Sequence, residues 1–281
     1  MILYELKNVY CQYPKSDIPV LFIEEMNINR GEIVFFVGES GVGKSTVLET
    51  LGLMNNTLTH QGNARFNFFE RENKTVDFFE LWKANQSKLS DFRNRHLSFI
   101  FQETNLFNNL SAYDNVLISP LLQGQDEDKA KELVNSYLRM MFKEETVKEI
   151  EDGKTIQKLS GGQRQRLAFL RAVSVGFSVL FADEPTGNLD VNNANKLIQF
   201  LVNQCQNENK TVVIVTHDIQ LASQYGSKIF LIEKKAVDGK RMGIINTSNC
   251  FLKKCNDDLW KNNGKQYTNH ELVNFLHTRL N

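Results

Sequence analysis

The chain has 281 residues, of which 41% are hydrophobic, so it can bury a sizeable core and is not expected to be disordered. Its 33 Lys and Arg residues balance its 33 Asp and Glu residues, and this zero net charge argues against a protein that mainly coats nucleic acid. The four cysteines are scattered, which is not the pattern of a disulfide framework and fits a reducing compartment.

The chain begins with short strands. Residues 2–6 and 20–28 are apolar-rich and flank a proline-containing turn, which predicts two antiparallel strands. Residues 1–7 lack the features of a signal peptide, and no stretch is apolar enough to cross a bilayer, so we expect a soluble, cytoplasmic protein. Tyr13, just before the turn, is either an adenine-stacking residue or a half-buried strand tyrosine, and its sequence context alone favours the second.

A glycine-rich segment follows the apolar run 33–37 and precedes an apolar helical pattern that ends near residues 55–56. Its pattern G-x-x-x-x-G-K-S predicts a phosphate-binding loop between a strand and a helix, whose backbone N–H groups and helix N-terminus favour an anion. Lys44 would reach the β- and γ-phosphates, and the Ser45 hydroxyl would coordinate Mg²⁺. The predicted nucleotide-binding residues here are Gly38, Glu39, Ser40, Gly41, Val42, Gly43, Lys44, Ser45 and Thr46.

The middle of the chain predicts an insertion into a sheet. A phenylalanine-rich stretch at 65–81 suggests a hairpin, and a polar helix follows at 84–96. Residues 97–101 then read as a buried strand that ends at Gln102. From about 103 to 158 the pattern is mostly helical, which predicts a helical subdomain between two strands.

Three further apolar runs, at 179–182, 211–215 and 229–232, alternate with helical patterns, and we expect the last of them to be the final strand. Continuous apolar strands alternating with helices predict a parallel sheet covered on both faces, with ligands bound at the carboxyl ends of the strands. Polar residues stand at those ends: Gln102, Asp183, Glu184 and His217.

These strand-end residues suggest the chemistry of nucleotide hydrolysis. Asp183 would hold Mg²⁺ through water or through Ser45, and Glu184 would orient or deprotonate the water that attacks the γ-phosphate. His217 would bind the γ-phosphate and fix the position of that water. The amide of Gln102 would bind Mg²⁺ or water and report the nucleotide state to the helical insert.

A second candidate phosphate site lies at the start of a predicted helix, where Ser160, Gly161, Gly162 and Gln163 follow Leu159. One protomer seldom needs two such sites for one γ-phosphate. We therefore expect this site to act on ATP held by another subunit, with two-fold symmetry producing two composite sites.

Taken together, the motifs resemble the full series of the ATP-binding cassette (ABC) ATPases, over about residues 2 to 235. The five-residue signature LSGGQ at 159–163 is specific to that family, and Tyr13 fits the position of its adenine-stacking aromatic residue. The segments 101–106 and 184–190 most resemble the branch that serves lipoprotein release, macrolide and peptide export, and a cell-division cassette.

The resemblance implies a P-loop NTPase (RecA-like) α/β fold: a parallel-sheet core, an N-terminal antiparallel β subdomain and an inserted helical subdomain. It also implies a head-to-tail dimer, with itself or a paralogous cassette, that clamps two ATP molecules with Mg²⁺. Asp190, in the motif Asn188-Leu189-Asp190, would help to couple the two sites. The helical insert would contact an integral membrane permease, which places the chain peripherally on the cytoplasmic face of the inner membrane.

The function implied is the ATP-hydrolysing subunit of a transporter of the export or lipoprotein, lipid or peptide extrusion type. Two alternatives stay open: a cassette of a non-transporting envelope complex of the cell-division type, and a soluble cassette ATPase acting on DNA or ribosomes. A single motif set without long heptads speaks against the latter, and no nucleic acid is expected.

Residues 236–281 form an extension beyond the resemblance, which we interpret as a solvated accessory subdomain of unknown role. From residue 234 onward the sequence has nine Lys or Arg residues and four Asp or Glu residues. This excess of positive charge makes a membrane-surface or regulatory role a weaker alternative. A zinc site would need Cys250, Cys255, His270 and His277, but the histidine spacing is too wide for a typical site.

Overall fold

The computed structural model describes residues 1–59, 62–71, 74–187, 189–237, 239–253 and 259–280. The strands are β1 (Ile2–Cys11), β2 (Leu21–Asn29), β3 (Ile33–Gly38), β4 (Leu58–Thr59), β5 (Arg65–Arg71), β6 (Lys74–Asp77), β7 (Leu97–Ile100), β8 (Val179–Asp183), β9 (Thr211–Val215), β10 (Lys228–Val237), β11 (Lys240–Ile245), β12 (Cys250–Lys253), β13 (Trp260–Asn262) and β14 (Lys265–Tyr267). The helices are α1 (Lys44–Leu51), α2 (Phe78–Lys83), α3 (Gln86–His96), α4 (Ala112–Leu122), α5 (Glu127–Met141), α6 (Glu144–Glu151), α7 (Gly161–Val173), α8 (Val191–Glu208), α9 (Ile219–Tyr225) and α10 (Asn269–Leu280).

The centre of the molecule is a parallel sheet in the order β10-β3-β9-β8-β7. Every residue of β3 and β9 is buried, because the sheet is covered on both faces. The register pairs Phe36 with Val215, and Asp183 with the same Val215, so the carboxyl ends of β3, β8 and β9 lie side by side. The predicted parallel-sheet core is confirmed.

An antiparallel sheet formed by the N-terminal half adjoins this core, in the order β6-β5-β1-β2. The predicted pairing of the first two strands is confirmed. The hairpin predicted over 65–81 is shorter, since residues 78–83 form α2. Asp77 caps that helix: its carboxylate accepts hydrogen bonds from the amides of Phe79 (2.8 Å) and Glu80 (3.4 Å).

The helix after the phosphate loop ends earlier than its apolar pattern suggests, at Leu51 rather than near 55–56. Gly52 follows it, and a side chain at this position would collide with the ring of Phe99. The helix therefore ends where the chain passes close to β7. This is a tertiary constraint that helical periodicity does not contain.

Helices α4, α5 and α6 lie between β7 and β8 in the chain, and α4 and α5 pack on α7. The amphipathic α5 contributes a buried stripe at the i, i+4, i+8 spacing, Ala130, Val134 and Leu138. This stripe joins the same hydrophobic cluster as β8 and β9. The inserted helical segment predicted between two strands is thus present, and it packs against the core that holds the strand ends.

The prediction that 229–232 is the final strand is wrong, because β10 continues to Val237 and further strands follow it. Strand β11 pairs antiparallel with β10 and parallel with β2, and so connects the two parts of the sheet. Periodicity could not indicate this, because the continuation of β10 and the start of β11 are rich in Lys and Arg.

The described part of the segment after residue 245 packs on the main core instead of forming a solvated subdomain. Strand β12 pairs with β10, and Trp260, Leu272 and Leu276 are each fully buried in the same cluster as β3. The indole Nε1 of Trp260 donates to the side-chain oxygen of Asn269 at 2.9 Å. Of the four candidate zinc ligands, Cys255 lies outside the described residues, and in the described part of the chain no group of three His, Cys, Asp or Glu side chains is placed to hold a metal ion.

The helices of the described ranges include none that is both long and apolar enough to cross a membrane.

Candidate functional site

The carboxyl ends of β3, β8 and β9 open into a cleft of about 360 Å³. This volume is within the range of small-molecule sites. The residues that line it are Val20, Ser40, Gly41, Gly43, Lys44, Ser45, Thr46, Gln102, Asp183, Glu184 and Val215. Residues far apart in the sequence, which the strand-end argument predicts to be neighbours, are therefore brought together here.

The phosphate loop connects β3 to α1 through two residues in the left-handed region, Gly41 (φ +70°) and Gly43 (φ +104°). These conformations favour glycine and turn the backbone so that successive N–H groups face one side. Gly43 is the N-cap of α1 and has no side chain to occupy the first N–H groups of that helix. The loop and the helix N-terminus thus form an anion-binding concavity.

The side chain of Lys44 crosses the loop. Its Nζ donates to the carbonyl oxygens of Gly38 and Glu39, at 2.9 Å in each case. Burial lowers the pKa of this ammonium, while the nearby carboxylates of Glu184 and Asp183 oppose that shift. A cation held at this position by backbone oxygens and facing two carboxylates is suited to bind the outer phosphates of a nucleotide.

Three oxygen-bearing side chains converge beside the loop. The Ser45 hydroxyl donates to Oδ2 of Asp183 at 3.2 Å, and Gln102 lines the same cleft. Burial raises the pKa of Asp183, as does Glu184 beside it, while the hydrogen bond from Ser45 and the charge of Lys44 lower it. A hydroxyl, a carboxylate and an amide oxygen suit Mg²⁺, which takes few protein ligands and prefers oxygen atoms. A bound Mg²⁺ would also offset the free-energy cost of the half-buried Asp183 carboxylate.

Glu184 is held at the end of β8 by three hydrogen bonds to the end of β9. Its Oε1 accepts from the backbone amide of His217 (3.1 Å) and lies 2.8 Å from Nδ1 of the same residue, and its Oε2 accepts from the Thr216 hydroxyl (3.2 Å). The backbone of Glu184 has φ +47°, a conformation unusual for a residue with a side chain. A carboxylate fixed in this way, at the cleft wall, is a candidate general base.

Thr216 is a site residue that our interpretation of the sequence did not include. Besides its bond to Glu184, its hydroxyl oxygen accepts the amide of Asp218 at 3.0 Å, which fixes the turn that presents His217. Its position between the apolar run 211–215 and the candidate His217 is the signal that would have identified it.

Tyr13 lies beside the N-terminal half of α1. Its hydroxyl donates to Oε2 of Glu49 at 2.6 Å and lies 3.2 Å from the Thr46 hydroxyl oxygen. Partial burial, together with the bond to Glu49, raises the pKa of Tyr13 to about 12. The ring is half-buried and follows β1, adjacent to the helix that begins at the cleft; an adenine-stacking role for it stays a prediction.

The second candidate phosphate site is the N-terminus of α7. The Ser160 hydroxyl accepts the amide of Gln163 at 3.2 Å, and the side-chain oxygen of Gln163 accepts the amide of Ser160 at 2.9 Å, which is a reciprocal capping box. Both glycines, Gly161 and Gly162, lie in the first turn. None of these four residues is among those that line the cleft, so the structure keeps the two predicted phosphate sites apart within one chain.

Asp190 caps α8 by accepting the amide and the side-chain amide of Asn193, at 3.0 and 2.6 Å. These hydrogen bonds lower its pKa. Asn188 of the same motif lies outside the described residues.

A family model described as "ABC transporter" matches residues 24–187. The chain is similar to the lipoprotein-releasing system ATP-binding protein LolD of Pseudoalteromonas translucida, with 33% identity over 82% of this chain and 91% of the relative. LolD of Cytophaga hutchinsonii is 32% identical over 74% of this chain and 87% of the relative. The macrolide export ATP-binding/permease protein MacB of Pasteurella multocida is 32% identical over 79% of this chain, which spans only 32% of that protein's length.

Among solved structures, the chain is similar to a dimeric, post-hydrolysis state of the ATP-binding cassette MJ0796 bound to ADP and Pi. The TM-score is 0.68, with 27% identity over 87% of this chain and 97% of that one. A second dimeric structure of the same cassette gives a TM-score of 0.66 and 28% identity over 82% of this chain and 94% of that one. The predicted P-loop NTPase fold is thereby confirmed.

Proposed function

The chain belongs to the ABC transporter family, and from this premise we propose that it is an ATP-hydrolysing subunit that drives a separate membrane permease. The observation that carries the proposal is the convergence of Lys44, Ser45, Gln102, Asp183 and Glu184 on one cleft beside the phosphate loop. These residues come from three separate parts of the chain, and together they supply phosphate binding, metal binding and a base.

Binding of ATP depends on the loop and on α1. The N–H groups around Gly41 and Gly43 cradle the phosphates, and Lys44 exchanges its backbone carbonyl partners for phosphate oxygens. Ser45, Asp183 and Gln102 hold Mg²⁺, which neutralises charge on the phosphate oxygens when bound. We propose that Tyr13 stacks on the adenine, since its ring lies next to α1.

Hydrolysis depends on Glu184, the carboxylate that is fixed between the two strand ends. It accepts a proton from the water that attacks the γ-phosphate, and the bonds from His217 and Thr216 hold it in position. The side chain of His217 is 78% exposed, and we propose that its ring also binds the γ-phosphate. The phosphoryl group passes to that water, and ADP and phosphate are the products.

The proposed assembly is a head-to-tail dimer, with a second copy or a paralogous cassette. The N-terminus of α7 carries Ser160 and two glycines, and it lies outside the cleft of its own chain, so it is available to the nucleotide of the partner cassette. The structural neighbours are themselves described as dimeric. We assign Asp190 the role of coupling the two sites, from its place at the start of α8.

We propose further that the partner is an integral membrane permease which extrudes lipoproteins, lipids or peptides, and that the chain binds it peripherally on the cytoplasmic face. Two relatives are named as the ATP-binding protein of a lipoprotein-releasing system, and another combines the cassette with a permease. The helical segment at about 103–158 is the proposed contact with the permease. We propose the ATPase domain to be residues 1–235, with 236–281 as its extension.

The test is an affinity pull-down from detergent-solubilised membranes with the Glu184→Gln variant and Mg-ATP, which holds the closed dimer. The same variant without nucleotide is the control. Recovery of an integral membrane protein supports the proposal. The architecture of that protein distinguishes an exporter from a non-transporting envelope complex of the cell-division type. Recovery of nucleic acid or ribosomes without a membrane protein would overturn it.

A further inference from the structure

The phosphate loop rests on a strand from the C-terminal extension, beyond the segment that the family model matches. Gly243 lies in β11, where it faces Leu21 of β2 on one side and Lys234 of β10 on the other. Its amide donates to the carbonyl of Val20 at 2.9 Å, and Val20 lines the nucleotide cleft. The backbone at Gly243 is therefore held from both sides, by Val20 and β2 on one side and by β10 on the other.

The space at Gly243 is filled by the phosphate loop itself. A Cβ atom at this position would collide with the backbone carbonyl oxygen of Val42, and would lie 3.0 Å from Cγ2 of Ile232 and 3.2 Å from Cδ1 of Leu21. The nearest atom belongs to main chain and cannot move away as a flexible side chain could. Any side chain at position 243 must therefore displace the loop or the strand.

Val42 is the residue of the phosphate loop that packs against β11. It is 1% exposed, although its neighbours Glu39, Ser40 and Gly41 are exposed. A Cβ atom at Gly38 would lie 2.8 Å from Cγ1 of Val42 and 2.8 Å from the carbonyl oxygen of Ile232, so β10 limits the loop from the other direction. The loop thus packs against both β10 and β11, and these two strands follow the predicted catalytic residues in the chain.

We propose that Gly243 is a positioning residue for nucleotide binding, acting through Val42, because its lack of a side chain sets how deep the phosphate loop lies. The inference rests on the proposed function and adds to it a role for the C-terminal extension. The Val42 carbonyl shares one planar peptide unit with the N–H of Gly43, so moving it turns that N–H and tilts the adjoining units, which carry the N–H groups of Val42 and Lys44. Hydrogen bonds to phosphate weaken steeply when their angle is lost.

The test is Gly243→Ala, with nucleotide affinity, steady-state kinetics and thermal unfolding without nucleotide all measured on the full chain. We expect ATP affinity to fall about tenfold or more, as for the loss of one charge-assisted hydrogen bond. The loss of affinity should appear in KM, since Glu184 and His217 follow β8 and β9, which do not pair with β11. A variant that merely folds poorly would lose kcat through a smaller active fraction and keep its KM.

The matched control is Gly176→Ala, which adds the same methyl group at an exposed glycine whose nearest neighbour, Oε1 of Gln123, would be 3.6 Å away. It should leave KM unchanged. The second variant is Val42→Ala, alone and combined with Gly243→Ala. The smaller side chain gives the loop room to shift, so the double variant should lose less affinity than the two single losses combined.

Unchanged ATP affinity in a folded Gly243→Ala variant would overturn the inference, as would strictly additive effects of the two substitutions. If Gly243→Ala does not fold, Val42→Ala alone must raise KM, and an unchanged KM in that variant overturns the inference equally. Wild-type protein that binds no ATP would instead overturn the proposed function, and the inference with it.

Discussion

Oε1 of Glu184 lies 2.8 Å from Nδ1 of His217 and accepts the backbone amide of the same residue at 3.1 Å. The pairing is set by the sheet, because the register of β8 and β9 places Asp183 opposite Val215 and leaves the following residues of both strands at the cleft. The candidate base and its candidate orienting residue are therefore positioned by two buried strands, which are rigid elements.

Glu184→Gln should reduce ATP turnover by about 100-fold or more, because the amide keeps the shape of the side chain but cannot accept the proton. ATP affinity should be retained, since the phosphate contacts are unchanged. Single-turnover hydrolysis and equilibrium ATP binding measure the two effects. Glu80→Gln, at an exposed site on α2, is the control and should behave like wild type. Wild-type turnover in Glu184→Gln would remove this residue from its role.

Lys44→Ala should weaken ATP binding by about 10- to 100-fold, the cost of losing a charge-assisted contact to phosphate. Lys83→Ala removes an exposed lysine that pairs with Glu80 and should leave binding unchanged. Titration with a fluorescent ATP analogue gives both affinities. Equal affinities for the two variants would contradict the assignment of residues 38–46 as the nucleotide-binding loop.

Ser160→Ala separates capping from catalysis when it is compared with Ser111→Ala. Both hydroxyls cap a helix, Ser160 by accepting the amide of Gln163 and Ser111 by accepting that of Asp114. Each variant should therefore lose about 1 kcal/mol of unfolding free energy in urea. Only Ser160→Ala should also lose ATPase activity, because its hydroxyl is proposed to contact the partner's nucleotide. Equal activities in the two variants would limit Ser160 to capping.

Asp183→Asn should stabilise the protein in the absence of nucleotide and Mg²⁺. Burial raises the pKa of Asp183 above its ordinary value of 3.8, so the folded state binds the proton more tightly and the charged form costs stability at neutral pH. The variant should unfold at a higher temperature than wild type at pH 7. This gain should shrink as the pH falls through the raised pKa and disappear below 3.8.

The control for this pH series is Asp91→Asn, on the exposed face of α3. If Asp183→Asn unfolds at a lower temperature than wild type at pH 7, the buried carboxylate does not destabilise the folded state, which would contradict the prediction. With Mg²⁺ and ATP present, wild type should have the higher unfolding temperature of the two proteins, since only wild type keeps the metal ligand.

Much of the fold could be predicted because the parallel strands are continuous apolar runs that end in polar residues. Asp183, Glu184 and His217 each follow such a run, and the carboxyl ends of parallel strands meet at one edge. The convergence of Asp183 and Glu184 with Gln102 and Ser45 on one cleft could therefore be predicted without coordinates.

The parts that could not be predicted depend on long-range packing. Strand β11 contains charged residues and a glycine, so its alternation is weak, and its place between β2 and β10 depends on pairing with β2, which is more than 200 residues away in the chain. The role of Gly243 follows from the approach of Val42, which no local pattern encodes. Trp260 likewise is buried by β12, β14 and the segment near Ser223.

The central claim is that each nucleotide site is completed by a second cassette, and the most direct measurement is the mass of Glu184→Gln in solution with and without Mg-ATP. Light scattering should give twice the monomer mass with Mg-ATP, with one ATP bound per chain, and the monomer mass without it. Adding Ser160→Ala to this variant should weaken the dimer. A protein that binds ATP at the phosphate loop and stays monomeric at every concentration tested would contradict completion of the site by a second copy of this chain.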